Sequence, residues 1–321
     1  MPLSLLQIIQ NCQGELGLPQ SATVIGNSDL TTLQMFTLAN RMLDEMRRYH
    51  PTGWSSMMSE FQIIVTTPKI LIGDVTNASA VVTNILPNTT GITANFWTLA
   101  GSQIPQAARV LSVDNANQVT LTMAATGSAS STPLTFSQDT YPYPTDYDWT
   151  QNRTQWDRTN RWELLGPDSA QMDQWHRSGI VATGPRRHWR RIGHLANQFR
   201  IWPQPAEIAN PLQLAFEYLS INAVAVHGST TTSAQYFAND DDQPFLDDAA
   251  ITMGIKYKFW EIKGFNYSNM KNEWIDYVDT LISRDEGAGT LQLTKRQSPI
   301  FLSPSNVQDG FFPGPVGPSA P

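Results

Sequence analysis

The sequence predicts an α+β protein: a helical-bundle core with a β-hairpin or small sheet, an inserted small all-β domain, and an extended C-terminal tail. Three observations predict it. Apolar residues recur at helical spacing near both ends of the chain. From Thr66 to Thr140 only five residues are charged (Lys69, Asp74, Arg109, Asp114, Asp139), and Thr, Ser, Ala, Val and Asn dominate. The last 27 residues hold six prolines and three glycines. With 321 residues the chain can bury a large core. The expected divisions are a first part of the helical core at 1–65, an all-β module at 66–140, a second part of the core with the hairpin at 141–294, and the tail at 295–321.

The elements follow in order. Leu5, Ile9, Cys12 and Leu16 stand at helical spacing, and Gly14 and Gly17 weaken or end that pattern. Ser28 or Asp29 caps a second helix of about five turns, with Leu33, Phe36, Asn40, Leu43 and Met46 on one face. Arg47 and Arg48 suit its last turn, and Pro51 and Gly53 stop it. In the low-charge stretch, "VLSVDNANQVTLTM" reads as strand, turn, strand, because Val119, Leu121 and Met123 alternate with threonines. "SAQMDQWHRSG" is a short helix capped by Asp168 or Ser169. "RHWRRI" and "FRIWP" alternate around the turn residues "GHLANQ", a β-hairpin followed by a third strand at "LQLAFEYLS". Residues 223–239 are a loop. Asp242 caps the next helix, with Pro244 in its first turn and Phe245, Ala249, Met253, Tyr257 and Trp260 in a row. Gly264 ends it, and Tyr267, Met270, Trp274, Val278, Leu281 and Ile282 mark an antiparallel last helix. Beyond Lys295 no periodicity supports packing; Ile300, Phe301, Leu302, Phe311 and Phe312 are apolar anchors on an extended segment.

Composition narrows the function. A net charge of −7 argues against a free-standing DNA binder. A single cysteine, Cys12, permits no internal disulfide and no cysteine metal cluster. The N-terminal segment has no basic region and its apolar run is broken by glutamines, so no signal peptide is expected. No run of eighteen apolar residues predicts a membrane span. Five scattered histidines show no zinc-protease spacing, and no nucleophile elbow, P-loop or dinucleotide fingerprint occurs. The run Asp240–Asp242 fails as a calcium loop, because Phe245 and Ile251 stand where Gly and Glu are needed. No catalytic residue, metal or cofactor is expected.

One stretch stands apart. "GPRRHWRRIGHLANQFRIWPQP", from Gly184, holds five arginines in an acidic chain. From Gln151 to Trp202 nine arginines face four carboxylates, without a lysine. Arginine forks grip carboxylates and phosphates and stack on rings, and Arg with Trp is the composition of protein–protein hot spots. Arg186, Arg187, Trp189, Arg190, Arg191 and Trp202 are the candidate subunit or partner interface. An internal ion network ranks second and phosphate contact third.

Five segments carry a resemblance: "LLQIIQNCQGELGLPQSATVIGNSD" with "QMFTLANR", "WDRTNRWELLGPDS", "GPRRHWR" with "FRIWPQP", "LAFEYLS", and "LDDAAITMGIKYKFWEIKGFNY". In order and spacing they resemble the head-to-tail adaptor (connector, head completion) proteins of short-tailed bacteriophages, over roughly residues 1–65 and 141–290. The stretch "IPQAARVLSVDNANQVTLTM" departs from that pattern and resembles small β inserts of phage virion proteins. The resemblance implies a structural virion protein, made in the host cytoplasm and placed at the head–tail junction. It implies a homo-oligomeric ring, generally of twelve copies, docked on the portal protein. Such a ring continues the channel for double-stranded DNA without sequence-specific contact and offers a platform to the tail nozzle protein. The tail anchors at Ile300–Leu302 and Phe311–Phe312 are then the portal-docking candidates. Two other classes stay open: a virion-associated wall-degrading hydrolase, and a glycan- or receptor-binding module in the β insert with Trp97 as its stacking platform.

Overall fold

Capping residues set where the helices begin. Ser4, Asp29, Ser169 and Asp247 each accept a backbone N–H of the following first turn with their side chains. They open α1 (Leu5–Glu15), α2 (Leu30–Tyr49), α3 (Ala170–Arg177) and α4 (Asp248–Lys263); α5 (Ser268–Asp285) follows the left-handed Gly264. The computed structural model describes residues 2–151, 153–178, 187–193, 197–205, 211–229 and 232–285. Between α2 and α3 run β1 (Met58–Ile64), β2 (Lys69–Val75), β3 (Val81–Leu86), β4 (Trp97–Gly101), β5 (Val110–Asn115), β6 (Gln118–Leu121), β7 (Ala129–Gln138), β8 (Thr140–Pro142), β9 (Tyr147–Thr150), β10 (Trp156–Asp157) and β11 (Trp162–Glu163). After α3 come β12 (His188–Ile192), β13 (Gln198–Trp202), β14 (Gln213–Ser220) and the two-residue strands β15 (Val224–Ala225), β16 (Ser233–Ala234) and β17 (Gln243–Pro244).

The helical-bundle core expected from the sequence does not form. Among the described residues strand outweighs helix, 31% against 29%, in several antiparallel sheets, one of them a half-barrel. The order β4-β7-β2-β3-β6-β5 makes a six-stranded sheet that curls until its outer strands meet. There Leu99 N–H donates to Ala108 O at 2.9 Å, and Asn95 N–H to Val110 O at 2.8 Å. Curling brings the β4 and β5 edges together and encloses Leu71, Val82, Ile85, Trp97, Leu99, Val119, Leu134 and Phe136.

A second sheet forms around β14, paired with β1 on one side and with β9 and β10 on the other. The hairpin β12–β13 takes β8 as its third strand. The expected third strand, "LQLAFEYLS", is β14, and it belongs to the β1 sheet instead. An aromatic cluster that includes Tyr141, Tyr143, Phe199 and Phe216 fills the space between these two sheets.

The helices α1, α2, α4 and α5 share the remaining core, so they form one layer beside the sheets. Gly254 of α4 meets α2 so closely that an added Cβ would fall 2.3 Å from Met42 Cε. The buried stripe of α2 is Met35, Leu38, Ala39, Met42, Leu43 and Met46, spaced as a helix face should be. It is rotated from the expected face: Leu33 is exposed, and the Asn40 side chain accepts the Phe237 N–H. The start of α4 also differs. Asp242 does not cap it, because Gln243 and Pro244 pair with β15 and Phe245 N–H donates to Ala223 O; the helix starts only after Asp247. Among the described residues no helix is long and apolar enough to cross a membrane.

Candidate functional site

Two of the five charged residues in the 66–140 stretch, Arg109 and Asp139, anchor the densest ionic site among the described residues. Arg109 lies just before β5, and Asp139 lies between β7 and β8 with its side chain fully buried. Arg109 Nη1 donates to the two Asp139 carboxylate oxygens at 2.9 and 2.7 Å. From α3, Arg177 Nη1 reaches Asp139 at 3.1 Å while its Nε donates to Asp173 one turn earlier at 3.0 Å. The hairpin supplies the rest. Arg190 Nη1 donates to Asp173 at 3.1 Å, and Arg200 Nη1 stands 3.6 Å from the same carboxylate. The Arg177 guanidinium also lies over the Trp202 ring, 4.7 Å from its centroid.

Four guanidinium groups thus surround two carboxylates, an excess of two positive charges. Burial drives the Arg200 pKa down to about 10, helped by Arg109 and Arg177, against the pull of Asp139 and Asp173. Burial by itself would raise the Asp173 carboxyl. The charge and hydrogen bond of Arg177, then Arg200 and Arg190, outweigh it and hold the group below the ordinary aspartate value. The site is a junction: one cluster fastens the half-barrel, α3 and the hairpin sheet together.

The sequence candidates are placed as follows. Trp189 and Trp202 are buried at 6% and 7% exposure, and Arg187 at 8%. Arg190 belongs to the junction. Arg191 is exposed, with its guanidinium 5.2 Å from the Tyr147 ring centroid and a hydrogen bond to Asn197 Oδ1. Arg186 and the tail positions Ile300, Phe301, Leu302, Phe311 and Phe312 lie outside the described residues. Trp97, weighed as a stacking platform, is 1% exposed and offers no face to a sugar. No protein-family model matches this chain, and no curated protein matches it either.

Other chemical candidates resolve into structural roles. Asp240 accepts the Val24 and Ile25 N–H groups, and Asp242 those of His227, Ala238 and Asn239. The acidic run therefore ties loops together. Cys12 is fully buried, and burial pushes its thiol up to about 12, far from a nucleophile's range. A cleft of about 700 Å³ lies between Trp54, Leu246 and Leu281. Its carboxylates are already engaged: Asp247 caps α4, Asp248 accepts Leu3 N–H, and Asp285 accepts Ser55. Among the described residues one group brings metal-ligating atoms together, Asp168 with His176 and His188.

The sequence held two signals for the junction. Arg109 and Asp139 are two of only five charges in the 66–140 stretch, and Asp173 and Arg177 stand one helical turn apart. The Asp168, His176 and His188 group has no local spacing to announce it.

Proposed function

We propose that this chain is a structural virion protein, a ring-forming head-to-tail adaptor of a short-tailed bacteriophage. It docks on the portal protein, continues the DNA channel and carries the tail nozzle. It works by contact between copies, about twelve to a ring, and not by turnover. The observation that supports this reading best is the joining of the two stretches that resemble the adaptors. They are separated in sequence by the half-barrel, yet α1 and α2 pack with α4 on one core, and β1 pairs with β14 along seven residues. An insert on an otherwise continuous body accounts for that layout.

Charge supports the same reading. A collar around moving DNA must not grip phosphates, because counterion release makes such binding strong. Twelve copies at −7 carry about −84. Four arginines, Arg109, Arg177, Arg190 and Arg200, are engaged by Asp139 and Asp173 instead of being offered to phosphate. The junction also stiffens the subunit where the half-barrel joins it, which suits a part that transmits load between head and tail.

The test is reconstitution. The purified chain is mixed with the portal protein of the same virus and imaged by electron microscopy. A ring of added density on the portal supports the proposal; a portal without added density contradicts it.

A further inference from the structure

Asp168, His176 and His188 come from three parts of the chain. Asp168 lies just before the cap of α3, His176 near the end of α3, and His188 at the start of β12. Their ligand atoms all lie within 4.8 Å of one another. Nδ1 of His176 is 3.0 Å and Nδ1 of His188 is 3.4 Å from the Asp168 carboxylate, and the two rings are 4.1 Å apart between centroids. Arg177 and Arg190, close by in sequence, direct their guanidinium groups to Asp173 instead.

The backbone holds this geometry. Leu165 N–H donates to Arg187 O, Trp189 N–H to Leu165 O, and Asp168 N–H to Trp189 O, all at 2.8–2.9 Å. The loop is thereby stitched to β12, with Asp168 beside His188. Gly166 permits the approach: its φ is +142°, and a Cβ there would sit 2.5 Å from Trp189 O.

We infer that Asp168, His176 and His188 form a binding site for a divalent transition-metal ion of the zinc type. Zinc bonds of about 2.0–2.2 Å in a tetrahedron put neighbouring ligand atoms about 3.3 Å apart; the two His–Asp168 separations are 3.0 and 3.4 Å, and the His176–His188 pair lies within 4.8 Å. Two imidazoles and one carboxylate suit zinc better than magnesium or calcium, which take oxygen. Three protein ligands leave a fourth position for water, and His188 keeps 19% of its side chain exposed, so solvent reaches the cluster. The ion cross-links α3 to the hairpin.

The experiment uses the full chain, stripped with a chelator and titrated with zinc chloride and, separately, cobalt chloride. Thermal unfolding and the visible spectrum are recorded. The expected result is one ion per chain, an unfolding temperature that rises with zinc concentration, and the intense visible bands of tetrahedral cobalt. His188→Gln and Asp168→Asn each weaken binding by more than the ~10–100-fold that loss of an outer-shell partner costs. His227→Ala, away from the cluster, leaves it unchanged. The inference is overturned if the wild-type chain gains no stability from zinc and shows only the pale spectrum of octahedral cobalt. It is equally overturned if the folded His188→Gln or Asp168→Asn variant binds as the wild type does. Should both variants fail to fold, the wild-type stoichiometry and cobalt spectrum decide the question.

Discussion

Arg109 and Asp139 are 30 positions apart in the chain, yet one guanidinium nitrogen touches both oxygens of the buried carboxylate, at 2.9 and 2.7 Å. That contact fastens the edge of the half-barrel to the strand that leaves it for the hairpin sheet. Arg177 completes the link from α3. Breaking a buried pair leaves an uncompensated charge, at a cost of about 3–5 kcal/mol. Asp139→Ala is therefore expected to lose about that much stability in urea unfolding. It takes a carboxylate from both Arg109 and Arg177, whereas Arg109→Ala leaves Asp139 paired with Arg177, so its loss exceeds that of Arg109→Ala. Equal losses would show that Arg177 draws nothing from Asp139.

Acid weakens the fold through particular carboxylates. Asp173 and Asp242 both lie below the ordinary value of 3.8. For Asp242 burial opposes the shift, and the N–H groups of Ala238, His227 and Asn239 overcome it. Each group binds protons more weakly folded than unfolded. Its contribution is complete above the unfolded value and is lost as pH falls through the depressed folded value. Asp173→Asn and Asp242→Asn are expected to lower stability at pH 7 and to flatten its decline between about pH 5 and about pH 2. Denaturant midpoints across that range check it; an unchanged slope contradicts it.

Gly166 is a third point of leverage. Gly166→Ala places a methyl against Trp189 O in a backbone conformation that disfavours side chains. The expected loss is more than about 1 kcal/mol, with α3 freed from β12. Hydrogen exchange at Asp168 and Trp189 N–H reads that release directly; unchanged protection contradicts it.

The hairpin arginines separate by role. Arg190→Glu sets a carboxylate against Asp173, so the folded chain itself loses stability. Arg191→Glu alters an exposed residue and is expected to shift monomer stability by no more than about 0.5–1 kcal/mol, while impairing ring assembly. Normal rings from Arg191→Glu would remove that residue from the interface.

How much of this was legible in the sequence follows from what each element depends on. Helix starts at Asp29 and Ser169 were readable, because a cap and its first turn are neighbours in sequence. Asp242 was misread because the pairing of Gln243 and Pro244 with Val224 and Ala225 is a tertiary fact. The fold class went wrong for the same reason on a larger scale. Strands such as Trp156–Asp157 and Trp162–Glu163 are two residues long and carry no periodicity; β14 makes a strand of Trp156–Asp157, which in turn pairs with Trp162–Glu163. The arginine-rich stretch announced itself, and so did the scarcity of charge around Arg109 and Asp139. Their meeting inside one chain depended on α3 and the hairpin closing over Asp139, which no local pattern encodes.

Whether the proposed ring stands at the head–tail vertex is decided in the virus particle. Cryo-electron microscopy of the purified virus particle tests it most directly. A ring of about twelve copies below the portal is expected, with the helical layer and the half-barrel both fitting the density. A particle whose neck density accommodates neither, or that contains no copy of this chain, would contradict it.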